Sequence, residues 1–172
     1  MIEQDTLHHG PVLPSRIVTL PSFMAKHHHS YMQLVIGLTG RCEFNVNGEV
    51  NLVGPGQGCV VYSHQNHSFG GIGQAEILVL NFSDFTQKHS QAVQLLKRAL
   101  SGEVYFQVDF QMQQLLRLLV SEVKNNPNDQ LLLQACQDTV LATLHQHIET
   151  YVLLKKGNRL NMAQIDRYID QH

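Results

Sequence analysis

The stretch Lys26–Phe69, KHHHSYMQLVIGLTGRCEFNVNGEVNLVGPGQGCVVYSHQNHSF, decides the fold. Its short runs of Val, Leu, Ile, Phe and Tyr are punctuated by Gly, Asn and Pro, the pattern of strands joined by tight turns. Asn47-Gly48 lies between Arg41 to Val46 and Glu49 to Val53, and both residues readily take the positive φ of a type I′ hairpin. Gly54-Pro55-Gly56 turns the chain again, Cys59 to Tyr62 reads as a buried strand, and His67 follows a polar bend. Upstream, His27 and His29 are two apart, and Gln33 is at an even spacing from both. On a continuous strand these three side chains share one face and His28 takes the other. Tyr31 to Leu38 is mostly apolar on both faces, with Leu34 and Ile36 opposite Gln33 and Val35, so the strand is expected to be covered on both sides, as in a sandwich or barrel.

Working outward, Met1 to Ser15 reads as a polar surface arm, and Arg16 to Met24 as a strand whose Pro21 needs an edge or a bulge. Ala75 to Phe82 is a further buried strand, and Gly70, Gly71 and Gly73 predict a mobile loop beside His67. The period changes after Ser83. Val93, Leu96 and Leu100 mark one face of a helix from Ser90 to Leu100, and Glu103 to Val108 is a short extended return. Asp109 caps a helix to about Lys124, and Asp129 caps a second that is expected to run to about Leu154. The short link makes them an antiparallel pair. Their leucine content exceeds one stripe against a sheet, so Leu115, Leu116, Leu119, Val123, Leu133 and Val140 are expected to face a second copy of the chain. Lys155 to Arg159 reads as a linker, and Asn161 caps a last helix that carries Met162, Ile165 and Ile169. The predicted class is α+β, mainly β, with a barrel or jelly roll and its arm over residues 1–108, the helical pair over 109–154, and linker plus helix over 155–172.

The composition supports a folded chain. Of 172 residues, 43% are hydrophobic and 15% charged, which excludes a disordered polymer. The net charge of −2 lacks the Lys and Arg excess of a surface that grips phosphates, so these residues are not expected to bind DNA themselves. The 11 histidines nearly equal the 12 Lys plus Arg, so charge turns positive as imidazoles load protons below about pH 7. Cys42, Cys59 and Cys136 have no zinc-like spacing and read as small buried hydrophobes in a reducing cytoplasm. No apolar run is long enough to span a bilayer, and the N-terminus lacks the basic start and apolar core of a signal peptide. A membrane partner is not expected.

The order His27, His29, Gln33, Gly40, then Gly54, Pro55, Gly56, Gly58 and His67, resembles the two motifs of the cupin family. Gln33 departs from it, standing where metal-binding cupin enzymes carry Glu, and an amide oxygen is a weaker ligand than a carboxylate. The segment HHHSYMQLVIGLTGRCEFNVNG is more specifically similar to the sensor domain of AraC-type transcription regulators, as are the long amphipathic helices after it. The segment from Asn161 is similar to the first helix of the AraC-type DNA-binding domain. The resemblance implies a cupin-like barrel that binds a small-molecule effector, a homodimer, and DNA contacts made by a C-terminal helix-turn-helix domain beyond the residues given. It also implies that the arm can fold over bound ligand.

The candidate ligand-binding residues are therefore His27, His29, Gln33 and His67, with Tyr31 and Arg41 as neighbours. Three imidazoles and an amide oxygen suit Zn, Ni or Fe(II) with one position open, and His27, His29, Gln33 and His67 are the candidate metal ligands. They equally suit a small polar ligand held by hydrogen bonds in an apolar cavity. No nucleophile elbow, P-loop, G-x-G-x-x-G or paired acidic motif is present, so catalysis is not expected. The chain reads as the ligand-sensing and dimerising part of a transcription regulator. The rivals are a small metal-dependent cupin enzyme, a dioxygenase or isomerase, and a metabolite-binding cupin with no DNA partner.

Overall fold

The structure, a computed structural model, describes residues 12–149. The expected last helix, the linker and most of the N-terminal arm lie outside them. Among the described residues, seven strands form one antiparallel sheet: β1 (Ser15–Thr19), β2 (Met32–Val46), β3 (Glu49–Val53), β4 (Gln57–Val61), β5 (His67–Phe82), β6 (Tyr105–Val108) and β7 (Ile148–Glu149). Three helices complete it, α1 (Gln87–Leu100), α2 (Phe110–Asn125) and α3 (Gln130–Leu144). The strand order is β1-β5-β2-β4-β6-β7, with β3 beside the far half of β2.

The two longest strands set the shape. Along Met32 to Gly37, β2 is buried on both faces, and beyond Gly40 only Cys42, Phe44 and Val46 are buried while Arg41 and Glu43 face solvent. The two-sided half lies between two cores and the one-sided half covers only the inner one. Strand β2 bends between these halves, where its register with β5 slips twice between Gly37 and Arg41. Gly40 permits the bend: its φ is +71°, and a Cβ there would lie 2.0 Å from the Gln74 carbonyl oxygen. The sheet thus rolls back on itself, so that Val35, Cys59, Val61 and Val79 from one half meet Phe44, Val46 and Phe69 from the other. Tyr105 on β6 closes the roll. Its hydroxyl lies 2.8 Å from the Glu49 carbonyl and 3.2 Å from that of Phe44 and donates to one at a time.

Outside the roll, Leu34, Ile36, Leu78 and Leu80 present the opposite face to the helices. There Val93, Leu96 and Leu100 of α1, Met112, Leu116 and Val123 of α2, and Leu133, Cys136 and Val140 of α3 complete one core. The caps fall where the sequence places them, with Asp109 accepting from Met112 N at 2.9 Å and Asp129 from Leu132 N at 3.1 Å.

Several expectations are corrected. The continuous strand does not start at His27: the chain bends at Ser30, β2 begins at Met32, and His27 makes one isolated bridge to His67. Gly70, Gly71 and Gly73 form no loop but lie within β5, where Gly70 and Gly71 pack against the main chain of Leu20 and Ser22. The second long helix stops at Leu144, because the next residues return to the sheet, pairing Ile148 with Val108. His147 Nδ1 then meets the Asp109 carboxylate at 2.8 Å, which ties this return to the cap of α2. Leu116, Val123, Leu133 and Val140 fill the chain's own core and so cannot face a partner, and Leu115 and Leu119 are half-buried against it. The exposed apolar side chains in this region are Phe110, Leu118 and Leu131.

Candidate functional site

Three segments carry the histidines. His27 and His67 are joined by two reciprocal main-chain hydrogen bonds of 3.0 and 2.9 Å, which lays the chain before β2 against the start of β5. The turn from Tyr62 to Gln65 holds the third, His64 N donating to the His29 carbonyl at 2.8 Å. The ring centroids of His27 and His29 lie 4.2 and 4.7 Å from that of His67, and Tyr31 stacks on His29 at 4.2 Å. Strand alternation does not produce this cluster. A bridge between distant segments does.

The ring nitrogens have defined roles. His67 Nδ1 is 2.8 Å from the Gln65 carbonyl and His29 Nδ1 is 2.7 Å from that of Tyr31. A carbonyl only accepts, so Nδ1 carries a proton in both rings, and a neutral ring held this way keeps its lone pair on Nε2. His27 Nδ1 makes a weaker approach of 3.4 Å to the Ala25 carbonyl. Burial holds the His67 pKa down at about 3, opposed by the Gln65 hydrogen bond and reinforced by neighbouring His27, His29 and His28. His67 is therefore neutral, and its buried Nε2 has no hydrogen-bond partner among the described residues.

The expected residues divide. His27, His29 and His67 come together, one nitrogen of each lying within 4.8 Å of the others. His28 points to solvent. Gln33 is buried, but its Nε2 donates to Asn81 Oδ1 at 2.7 Å, leaving Oε1 with no partner among the described residues. Arg41 is exposed and lies outside the recess, whereas Tyr31 touches the cluster through its ring. Gln33 and His27 line an internal cavity of about 20 Å³ together with Arg16, Val18, Phe69 and Val79. That is room for about one water. Phe69 also lines a surface groove of about 430 Å³ with Phe23, Lys26, Glu43 and Ile72. Arg16, Phe69 and Asn81 escape a reading of the sequence. Only Asn81 leaves a signal, a single amide in the otherwise apolar end of AEILVLNF.

His29 and His67, tied at Nδ1 to main-chain carbonyls, are oriented to bind a cation through Nε2, since metal-bound histidines commonly donate their other ring N–H in this way. Nitrogens sharing one zinc at 2.0–2.1 Å would be roughly 3.4 Å apart, so the rings must draw in by about 1 Å.

A rolled antiparallel sheet backed by helices, with a polar recess among apolar walls, defines the class: a mainly β domain with an internal recess. The chain belongs to the AraC-like ligand-binding domain family, whose profile matches residues 12–136. A probable transcriptional regulator, LumQ of Photobacterium leiognathi, is 32% identical over 157 residues, covering 91% of this chain and 60% of that protein. The chain thus spans less than two thirds of that relative's length. Among solved structures, a cupin-2 domain protein of Shewanella frigidimarina aligns over 38% of this chain and 65% of its own, at 14% identity and a TM-score of 0.36. KdgF from Halomonas sp. aligns over 43% and 72%, at 22% identity and a TM-score of 0.37. Overlaps of this extent carry no argument about the recess. No helix among the described residues is long and apolar enough to cross a membrane.

Proposed function

We propose that this chain is the effector-sensing and dimerising part of a cytoplasmic AraC-type transcription regulator rather than an enzyme, and that its effector binds at His27, His29, His67 and Gln33. One observation carries the reading. Two buried acceptors, Gln33 Oε1 and His67 Nε2, have no partner among the described residues. An unsatisfied buried polar atom costs about 1–3 kcal/mol, and a ligand that donates to it, or a cation that takes its lone pair, recovers that cost.

A divalent Zn, Ni or Fe ion fits the imidazoles, and His27, His29 and His67 would hold it. Bound there, it would supply a Lewis acid to anchor the effector. Gln33 does not fit the carboxylate role, and its amide nitrogen is committed to Asn81. A metabolite larger than one water needs Phe69 to move aside toward the groove it also lines. In the dimer, the second copy would meet Leu118 and Leu131, with half-buried Leu115 and Leu119 beside them. DNA would be bound by a helix-turn-helix domain following residue 172. The effector shifts regulation only if it binds one arrangement better than another.

The histidine cluster also favours a second reading, a small metal-dependent cupin enzyme. A reporter assay on the complete regulator separates them. Response to added metal or metabolite is expected, and its loss in His67→Leu and Gln33→Met. Stoichiometric iron with substrate turnover would end the sensor reading.

A further inference from the structure

We propose that Asn81 is a positioning residue that fixes which end of the Gln33 amide faces the recess, and that it links this choice to the segment before β1 and, through Gln137, to α3. The reasoning starts from main-chain carbonyls, which can only accept. Asn81 reaches the Leu13 carbonyl at 3.1 Å, so it must present Nδ2 there. Its Oδ1 then faces Gln33, at 2.7 Å from Nε2, and Gln33 must turn Oε1 toward the recess. The polarity of the recess at this point is thus dictated by a carbonyl at the root of the N-terminal segment.

The chain of amides continues to the helices. The Pro14 carbonyl accepts from Asn81 N and from Gln137 Nε2, both at 3.0 Å, and Gln137 Nε2 also donates to the Asn81 carbonyl. Gln134 Nε2 donates to Gln137 Oε1 at 2.9 Å. Gln33, Asn81 and Gln137 are 3%, 2% and 2% exposed, so none can exchange a lost partner for bulk water. Buried polar chains hold or fail together. A ligand donating to Gln33 Oε1 therefore favours the arrangement in which Leu13, Pro14 and α3 are engaged, and by reciprocity that arrangement favours the ligand. This coupling rests on the recess being the effector site. The orientation of Gln33 does not.

The test uses side-chain amide NMR and unfolding equilibria of the chain. The Gln33 carboxamide protons should exchange slowly in wild type and in Asn81→Asp, which keeps the acceptor, and at least tenfold faster in Asn81→Leu. A merely structural role would make no such distinction between the two variants. In a cycle of Gln33→Met and Gln137→Met, residues with no direct hydrogen bond, the double variant should shift the unfolding constant at least fivefold less than the product of the singles. Equal exchange in Asn81→Leu and wild type, or a double variant equal to that product within twofold, overturns the proposal. Zn²⁺ held by the imidazoles would carry a water whose O–H can donate to Gln33 Oε1, so Zn²⁺ added to wild type should shift the Gln137 side-chain amide resonance, and Asn81→Leu should abolish that shift. Zn²⁺ that leaves the histidine rings unmoved overturns zinc as an occupant of the site and spares the amide chain, whereas Zn²⁺ that moves the rings and not Gln137 overturns the coupling.

Discussion

Acidification should destabilise this protein through His67. Its folded pKa is held down at about 3 by burial, and an unfolded imidazole titrates near 6.5. Between those values the unfolded chain binds a proton that the folded chain refuses, so stability is complete above about pH 6.5 and falls as pH drops toward 3. For one such group the loss is about 1.4 kcal/mol at pH 5.5 and about 2 kcal/mol at pH 5. Other histidines titrate too, so the comparison is with His67→Asn, which can keep the short donation to the Gln65 carbonyl but carries no titrating ring. Urea unfolding followed by far-ultraviolet circular dichroism at pH 7.5, 6.5, 5.5 and 5.0 gives the slope for each protein. Wild type should lose about 2 kcal/mol more than the variant by pH 5. Parallel slopes would mean that His67 accepts a proton in the folded state, and the neutral-ring reasoning would fail.

The helical layer yields two contrasting outcomes. Leu116→Ala, emptying a site 3% exposed in the core between α2 and the sheet, should cost about 2–5 kcal/mol in urea unfolding, and a loss under 1 kcal/mol would contradict its placement. Leu118→Glu with Leu131→Glu, at side chains 69% and 82% exposed, should leave monomer stability within about 0.5 kcal/mol while converting the proposed dimer to monomers in sedimentation; a dimer that persists would remove these leucines from its interface, and a wild-type monomer would remove the dimer itself.

Much of the sheet was legible because its signals are local. Asn47 at φ 52° and Gly48 at φ 86° make the hairpin that the dipeptide announces, and Asp109 and Asp129 cap helices within a residue of expectation. What escaped depends on contacts between distant segments. The end of α3 is set by pairing with β6, and no periodicity in its own residues announces it. The glycines after His67 look like a loop until the chain of Leu20 and Ser22 packs beside them. The three imidazoles lie together, but His27 meets His67 across a bridge and not along a strand as the spacing suggests. Arg41 falls on the solvent face because β2 is one-sided beyond its bend, whereas Arg16 lines the cavity from β1.

The most direct test of the recess is native mass spectrometry of the chain equilibrated with Zn²⁺, Ni²⁺ or Fe²⁺ and, separately, with a panel of small hydroxylated and amino metabolites. At least one of these should give a one-to-one adduct with wild type that disappears in His67→Leu and in Gln33→Met. A panel that leaves wild type bare, or an adduct that both variants retain, would contradict the account.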